Sequence, residues 1–176
     1  MLPQPIAEGG TSQVFIAKVM MALVNSADFS RYEGRKKKQA TIAVKKMKPT
    51  FKERMGDYLK HEREVVRRLK NTSCVFIPKF YGSAHPCDLS DGVMMEVVMG
   101  EDFEAFISLR RLTVSLATKL TLLYNVVLGM RKLRDYQIVH LDMKPANLIV
   151  SRFLVPKIID FGEAFHPELC PKGTSA

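Results

Sequence analysis

Apolar spacing changes its period once along this chain, and that change limits the possible folds more than any other feature. Before residue 100 the apolar residues gather in short runs rich in Val, Ile and Met: VFIAKV at 14–19, TIAVKKM at 41–47 and VMMEVVM at 93–99. Runs of this length predict strands, because branched side chains pack well on a pleated surface. One helix interrupts them, over 52–70, where Met55, Leu59, Val65, Val66 and Leu69 form a partial apolar stripe that ends at Asn71. After Gly100 the spacing becomes helical, and Leu116, Leu120, Leu123, Val127 and Met130 recur every three or four residues. That face must be buried. Two brief runs, NLIV and PKIID, flank SRFLV and predict a small hairpin with polar residues at its ends. The expected class is α+β: a β-rich lobe with one main helix over 1–98, a linker near 99–101, and a helical lobe over 99–176. Ligand sites favour such junctions.

Composition excludes several alternatives. A chain of 176 residues that is 47% hydrophobic can build a real core, as one medium domain or two small lobes. Its net charge of +9 is local, since 15 of its 27 Lys and Arg fall between Arg31 and Lys70, against five acids. The polar segment NSADFSRYEGRKKKQ, 25–39, predicts an exposed loop between the first two strands, its basic run a solvated surface. Aromatic residues are not interleaved through the basic stretch, so no nucleic acid partner is expected. Cys74, Cys87 and Cys170 lack metal-ligand spacing and predict free thiols in a reducing compartment. The first residues do not read as a signal peptide, and the longest apolar run, VFIAKVMMALV, is broken by Lys18 and too short to span a bilayer. A cytoplasmic protein with no membrane partner is expected; its oligomeric state is not legible.

The stretch IVHLDMKPANLIV, 138–150, holds an acid, a lysine and an amide at close spacing between apolar flanks. Asp142, Asn147 and Asp160 all fall at the edges of the predicted hairpin and can converge on one point. Oxygen ligands of this kind suit Mg²⁺, which binds few protein groups and leaves positions for phosphate and water. A carboxylate outside the metal shell can orient a hydroxyl nucleophile, and Lys144 can neutralise charge on a transferring phosphoryl group. Phosphoryl transfer asks for that combination of positioning and electrostatics.

HLDMKPANLIV resembles the catalytic loop H-R-D-x-x-x-x-N of eukaryotic protein kinases, and IIDFGEA, 158–164, supplies that family's D-F-G. The resemblance implies a bilobal protein-kinase-like fold, ATP and Mg²⁺ as cofactors, and a protein substrate. It makes Asp142 the catalytic base, Lys144 the stabiliser of the γ-phosphate, and Asn147 and Asp160 the Mg²⁺ ligands; His140 takes a structural place. IAVK is similar to V-A-I-K, which assigns Lys45 to the α and β phosphates and Ala43 to the adenine, with Glu62 as the ion-pair partner of Lys45. Glu64, about 200° round the helix from Glu62, faces elsewhere. IAEGGTSQVF is similar to the glycine-rich loop, with Ala7 and Ser12 in place of the first and third glycines, Gly9 and Val14 retained, and the backbone near Gly9 and Gly10 left to cover the phosphates. VMMEVVMGEDF resembles the strand and hinge between kinase lobes: Met95 borders the adenine pocket, the backbones of Glu96 and Val98 bond adenine, Asp102 contacts ribose, and Ile149 forms the pocket floor. A lysine two residues after the catalytic aspartate is the serine/threonine pattern, so the acceptor is expected to be a Ser or Thr hydroxyl.

Two departures qualify the resemblance. Leu141 stands where the family has an arginine that pairs with an activation-loop phosphate, a contact leucine cannot make. The sequence also stops at CPKGTSA, soon after D-F-G, with no A-P-E motif; the resemblance spans about the first two-thirds of the family's domain. In the family the Leu116 to Met130 face packs on later helices. At about 25 cal/mol per Å² its exposure forfeits several kcal/mol, and an aggregation-prone isolated chain is expected. Two other readings remain open: a noncatalytic nucleotide-binding pseudokinase or regulatory fragment, and a kinase-like small-molecule phosphotransferase, which Lys144 and D-F-G disfavour.

Overall fold

Ten-residue strands β2 (Ser12–Met21) and β3 (Lys38–Met47) pair antiparallel along their whole length, from Ser12 opposite Met47 to Met21 opposite Lys38. They anchor a five-stranded sheet with β1 (Ala7–Glu8), β4 (Phe80–Ser83) and β5 (Val93–Glu96), in the order β1-β2-β3-β5-β4. The structure is a computed structural model describing residues 4–21, 38–48, 50, 56–83, 92–110 and 113–169. Most of the basic insert, Cys87, Cys170, the side chains of Met55 and Leu59, and the terminal KGTSA lie outside the described residues.

Helix α1 (Gly56–Leu69) presents Val65, Val66 and Leu69, all nearly inaccessible, to the same core as Phe80 and Val93 of the sheet. The segment expected to be a plain linker is instead strand β6 (Gly100–Asp102), which pairs with β7 (Leu148–Ser151); β7 pairs in turn with β8 (Pro156–Ile158). Gly100 permits this pairing, because a Cβ there would sit 2.1 Å from the Val150 carbonyl oxygen. The predicted hairpin is therefore two strands of a three-stranded sheet. Its turn is closed by Ser151, whose Oγ accepts from Phe153 N at 3.3 Å and Val155 N at 3.2 Å.

Helices α2 (Phe103–Arg110) and α3 (Leu116–Asp135) follow the linker strand. Asp102 caps the first, its Oδ1 accepting from Ala105 N at 2.7 Å, and Ser115 caps the second, its Oγ accepting from Thr118 N at 3.1 Å. The face of α3 read as buried is not: Leu116, Leu120, Leu123, Val127 and Met130 are 44–71% exposed. Leu122, Val126, Gly129 and Leu133 are buried instead. Both sides of this helix are apolar, so spacing alone cannot choose between them. Gly129 decides it: a Cβ there would lie 2.8 Å from Ile158 Cδ1 and 3.1 Å from Phe76 Cβ, so the bare backbone lets α3 press onto β8.

One apolar cluster runs from α1 and β4–β5 through α2 and α3 to the β7–β8 hairpin. The fold is the α+β architecture expected, a β-rich part with one main helix joined to a helical part. Among the described residues no helix is long and apolar enough to cross a membrane.

Candidate active site

Alternation along β3 sends Lys45 and Lys46 to opposite faces of the sheet, and Lys45 goes to the side that α1 covers. On α1, Glu62 precedes buried Val65, Val66 and Leu69 by three, four and seven residues, which puts its carboxylate on the inward stripe. Lys45 Nζ donates to Glu62 Oε1 at 2.7 Å and to Asp160 Oδ1 at 2.5 Å. Glu62 is 3% exposed and Lys45 9%. Burial alone would lower the Lys45 pKa; the Glu62 and Asp160 carboxylates outweigh it and hold the ammonium above the ordinary lysine value. Glu64 lies off this stripe and pairs with Arg67 at 2.6 Å.

The loop from Val139 to Asn147 is fixed to the segment after β8 at three points. Val139 and Phe165 exchange backbone hydrogen bonds of 3.0 and 2.7 Å. His140 Nε2 donates to the Ile159 carbonyl at 2.9 Å, and Ile159 N donates to the Asn147 carbonyl at 2.9 Å. His140 is 3% exposed and burial lowers its pKa, so it stands as a neutral structural ring. The Phe161 ring packs 5.1 Å from it and edge-on to Phe80 at 5.7 Å, joining the loop to the larger sheet.

Within the loop, Lys144 Nζ donates to Asp142 Oδ2 at 2.7 Å, and Asn147 Nδ2 donates to Asp142 Oδ2 at 2.9 Å and to the Asp142 carbonyl at 2.8 Å. The Lys144 hydrogen bond, helped by Asn147, holds the Asp142 carboxyl below the usual carboxylate range. For Asp160, burial pushes upward, but Lys45 and the Gly162 N–H, 3.3 Å from Oδ1, leave it lowered. Leu141 and Asp160 both take left-handed backbone, φ 59° and 62°, and Leu141 is 67% exposed. Non-glycine residues in this conformation gather at sites where the surroundings fix the backbone.

The other candidates form the surroundings of these groups. Val14 lies directly opposite Lys45, Ile16 opposite Ala43, and Ala43 opposite Met95. Ala7 pairs with Val14, while the turn at Gly9 and Gly10 closes through Gly9 N to the Ser12 carbonyl at 2.9 Å. Ser12 pairs with Met47, and the Thr11 carbonyl accepts from Lys48 N at 2.9 Å, so the loop is held to β3. Asp102 stands opposite Ile149 on neighbouring strands. The Glu96 N–H is engaged by the Lys79 carbonyl at 2.9 Å, so that donor is not offered to a base edge.

Two contacts escaped the sequence reading. His61 Nε2 donates to the Ala164 carbonyl, and Arg68 pairs with Glu168 at 2.7 Å, so α1 grips the segment after Phe161 at two further points. The partners are about a hundred residues apart, and no spacing signals them.

Among the described residues no cluster of three or more His, Cys, Asp or Glu is arranged for a metal. Asn147 spends its nitrogen on Asp142, so its amide oxygen and the Asp160 carboxylate are the donors offered. One amide and one carboxylate fit Mg²⁺, which keeps several waters and takes its remaining ligands from phosphate, and they do not fit a dedicated protein cage.

The sequence signature of the protein kinase domain family matches residues 30–172. The chain is 32% identical over 131 residues to the dual specificity protein kinase shkB of Dictyostelium discoideum, covering 69% of this chain and 18% of that protein. It is 28% identical over 161 residues to the probable serine/threonine-protein kinase pkgA of the same organism, covering 90% of this chain and 10% of that protein. The mitogen-activated protein kinase pmk-1 of Caenorhabditis elegans is 25% identical over 130 residues, covering 70% of this chain and 33% of that protein. The chain spans about a tenth to a third of the length of these relatives.

Proposed function

This chain belongs to the protein kinase domain family, and from that premise we propose that it serves a protein serine/threonine kinase, moving the ATP γ-phosphate to a protein hydroxyl. The observation that carries the reading is the joining of two groups. Lys45, Glu62 and Asp160 form one ion-paired set, Asp142, Lys144 and Asn147 another, and the Ile159 to Asn147 hydrogen bond ties them together.

In this reading Asp142, ionised at neutral pH, accepts the proton of the incoming hydroxyl. Lys144, already beside it, faces the charge that develops on the phosphoryl group. Lys45 holds the α and β phosphates while Glu62 fixes the direction of its ammonium. Asn147 and Asp160 hold Mg²⁺, which when bound neutralises phosphate charge. Ala43, Met95 and Ile149 bound the adenine, the Glu96 and Val98 backbones read its edge, and Asp102 reaches the ribose. Val14 and the loop of Ala7, Gly9, Gly10 and Ser12 cover the phosphates. The Ser/Thr preference rests on Lys144, and residues 1–98 and 99–176 are the two lobes of a cytoplasmic protein.

A second reading has its own observation. The exposed apolar face of α3 would suit a noncatalytic module that binds a partner. Thermal unfolding with and without Mg²⁺ and ATP, alongside Asp160→Asn, separates the two. Nucleotide at about 100 times its dissociation constant should stabilise the chain by about 2.7 kcal/mol. A Mg²⁺-dependent shift lost in Asp160→Asn, followed by transfer to a protein acceptor, supports the kinase. No shift in the folded chain sinks it in favour of the noncatalytic module.

A further inference from the structure

A groove of about 1730 Å³ opens behind β5, on the face of the sheet opposite Lys45. Strand alternation defines it. Ile42, Met94 and Glu96 turn toward the groove, with Ile42 directly opposite Glu96, while Ala43, Lys45 and Met95 take the other face. Its far side is built by the segment after α1, including Lys70 and Val75, and by the β7–β8 turn with Arg152 and Phe153. None of Lys45, Glu62, Asp142, Asn147 or Asp160 lines it, whereas Glu96 and Val98, whose backbones are assigned to the adenine edge, do.

Two properties of the lining coincide. Val75, Met99 and Phe153 are 58%, 71% and 72% exposed, so three large apolar groups stand uncovered around one concavity. Four cations, Lys70, Lys79, Arg152 and Lys157, surround them, and the lining holds a single carboxylate, Glu96, which Lys157 takes. Among the described residues Lys70, Lys79 and Arg152 have no carboxylate partner. Lys79 Nζ rests 5.8 Å from the Tyr81 ring centre and the Arg152 guanidinium 4.7 Å from that of Phe153. A cation held over a ring keeps its N–H donors for another acceptor.

We propose that this groove docks an acidic segment of a protein partner, whose carboxylates meet Lys70, Lys79 and Arg152 and whose intervening apolar side chains cover Val75, Met99 and Phe153. Charge complementarity sets the sign of the partner, and the uncovered apolar groups require that it bring apolar residues as well. The groove and the candidate active site share β5 as a common wall, one on each face.

The probe is a set of fluorescein-labelled twelve-residue peptides of Asp, Glu, Leu and Phe, followed by fluorescence anisotropy with the whole chain at low and high salt. Saturable binding is expected, weakening as salt rises and dropping about tenfold or more in Lys79→Glu/Arg152→Glu. Methionine-methyl NMR of the unaltered chain provides a test independent of variant folding. The Met94 and Met99 signals should move on binding while that of Met143 stays. The proposal is overturned if no peptide binds saturably, or if peptides with Lys in place of the acids bind as well. It is also overturned if the charge-reversed variant binds unchanged, if an oligothymidylate of equal charge displaces the peptide as effectively as unlabelled peptide, or if Met94 and Met99 do not respond.

Discussion

Lys45 answers two carboxylates that lie 17 and 115 residues away in the chain, and removing it leaves Glu62 buried without a counter-charge. Breaking a buried pair from one side costs about 3–5 kcal/mol, whereas replacing both partners with apolar groups is often neutral. Lys45→Met should therefore lower the urea midpoint substantially, and Lys45→Met/Glu62→Leu should recover most of it; equal loss in both would refute the argument. Asp142 yields a pH prediction with a definite sign. Lys144 lowers its pKa in the fold, so the ionised carboxylate persists to more acid pH than an ordinary aspartate would. Lys144→Ala removes the largest cause, and the Asp142 carboxyl, followed by NMR titration, should then protonate at higher pH. An unmoved titration curve would show that Asn147 alone sets the value. These residues were legible because the loop and the D-F-G motif carry them at short, fixed spacing. His61 and the packing of Phe161 on His140 and Phe80 were not, since the fold makes those contacts between segments far apart in sequence.

Two glycines separate a backbone constraint from a side-chain one. An alanine Cβ at Gly100 would lie 2.1 Å from the Val150 carbonyl oxygen, and backbone in a paired strand cannot give way. At Gly129 the nearest atom, at 2.8 Å, is the tip of Ile158, and alanine gains about 1 kcal/mol of helix propensity over glycine. Overpacking costs about 1–3 kcal/mol where side chains must shift, so Gly129→Ala should lose at most about 2 kcal/mol and Gly100→Ala distinctly more. Thermal unfolding of the two variants checks the order, and a reversed order would mean that β6 does not depend on this close approach. The elements themselves were largely readable: β2, β3, β5 and the hairpin follow from runs of branched residues, and α1 from its stripe. The linker strand was missed because its pairing with β7 leaves no mark in three residues of mixed polarity. The burial of α3 was assigned to the wrong face because Leu and Val occupy both sides, and only the partner surface, β8, distinguishes them.

At the scale of the molecule, the uncovered face of α3 departs from an ordinary globular surface. Leu120, Leu123 and Val127 are each half exposed or more and share one side of a twenty-residue helix. The chain should associate with itself as its concentration rises, and Leu120→Lys/Val127→Lys should suppress this without lowering the unfolding temperature. Sedimentation velocity across a concentration series tests it; a monomer at every concentration, before any substitution, would refute it. The contacts that close the candidate active site have a kinetic consequence. Asp160 to Lys45, Ala164 to His61 and Glu168 to Arg68 bridge 115, 103 and 100 residues, whereas β2–β3 and β7–β8 join neighbouring strands. Chain entropy delays such distant closures until shorter loops have formed. The site is then the last part of the molecule to form, and a contact absent from the folding transition state acts on unfolding alone. Asp160→Asn should speed unfolding in stopped-flow measurements while leaving the folding rate unchanged; a slowed folding limb would place the closure early. With that order, a nascent chain acquires its ion-paired centre only after both sheets exist, and a half-folded molecule has no assembled site with which to act.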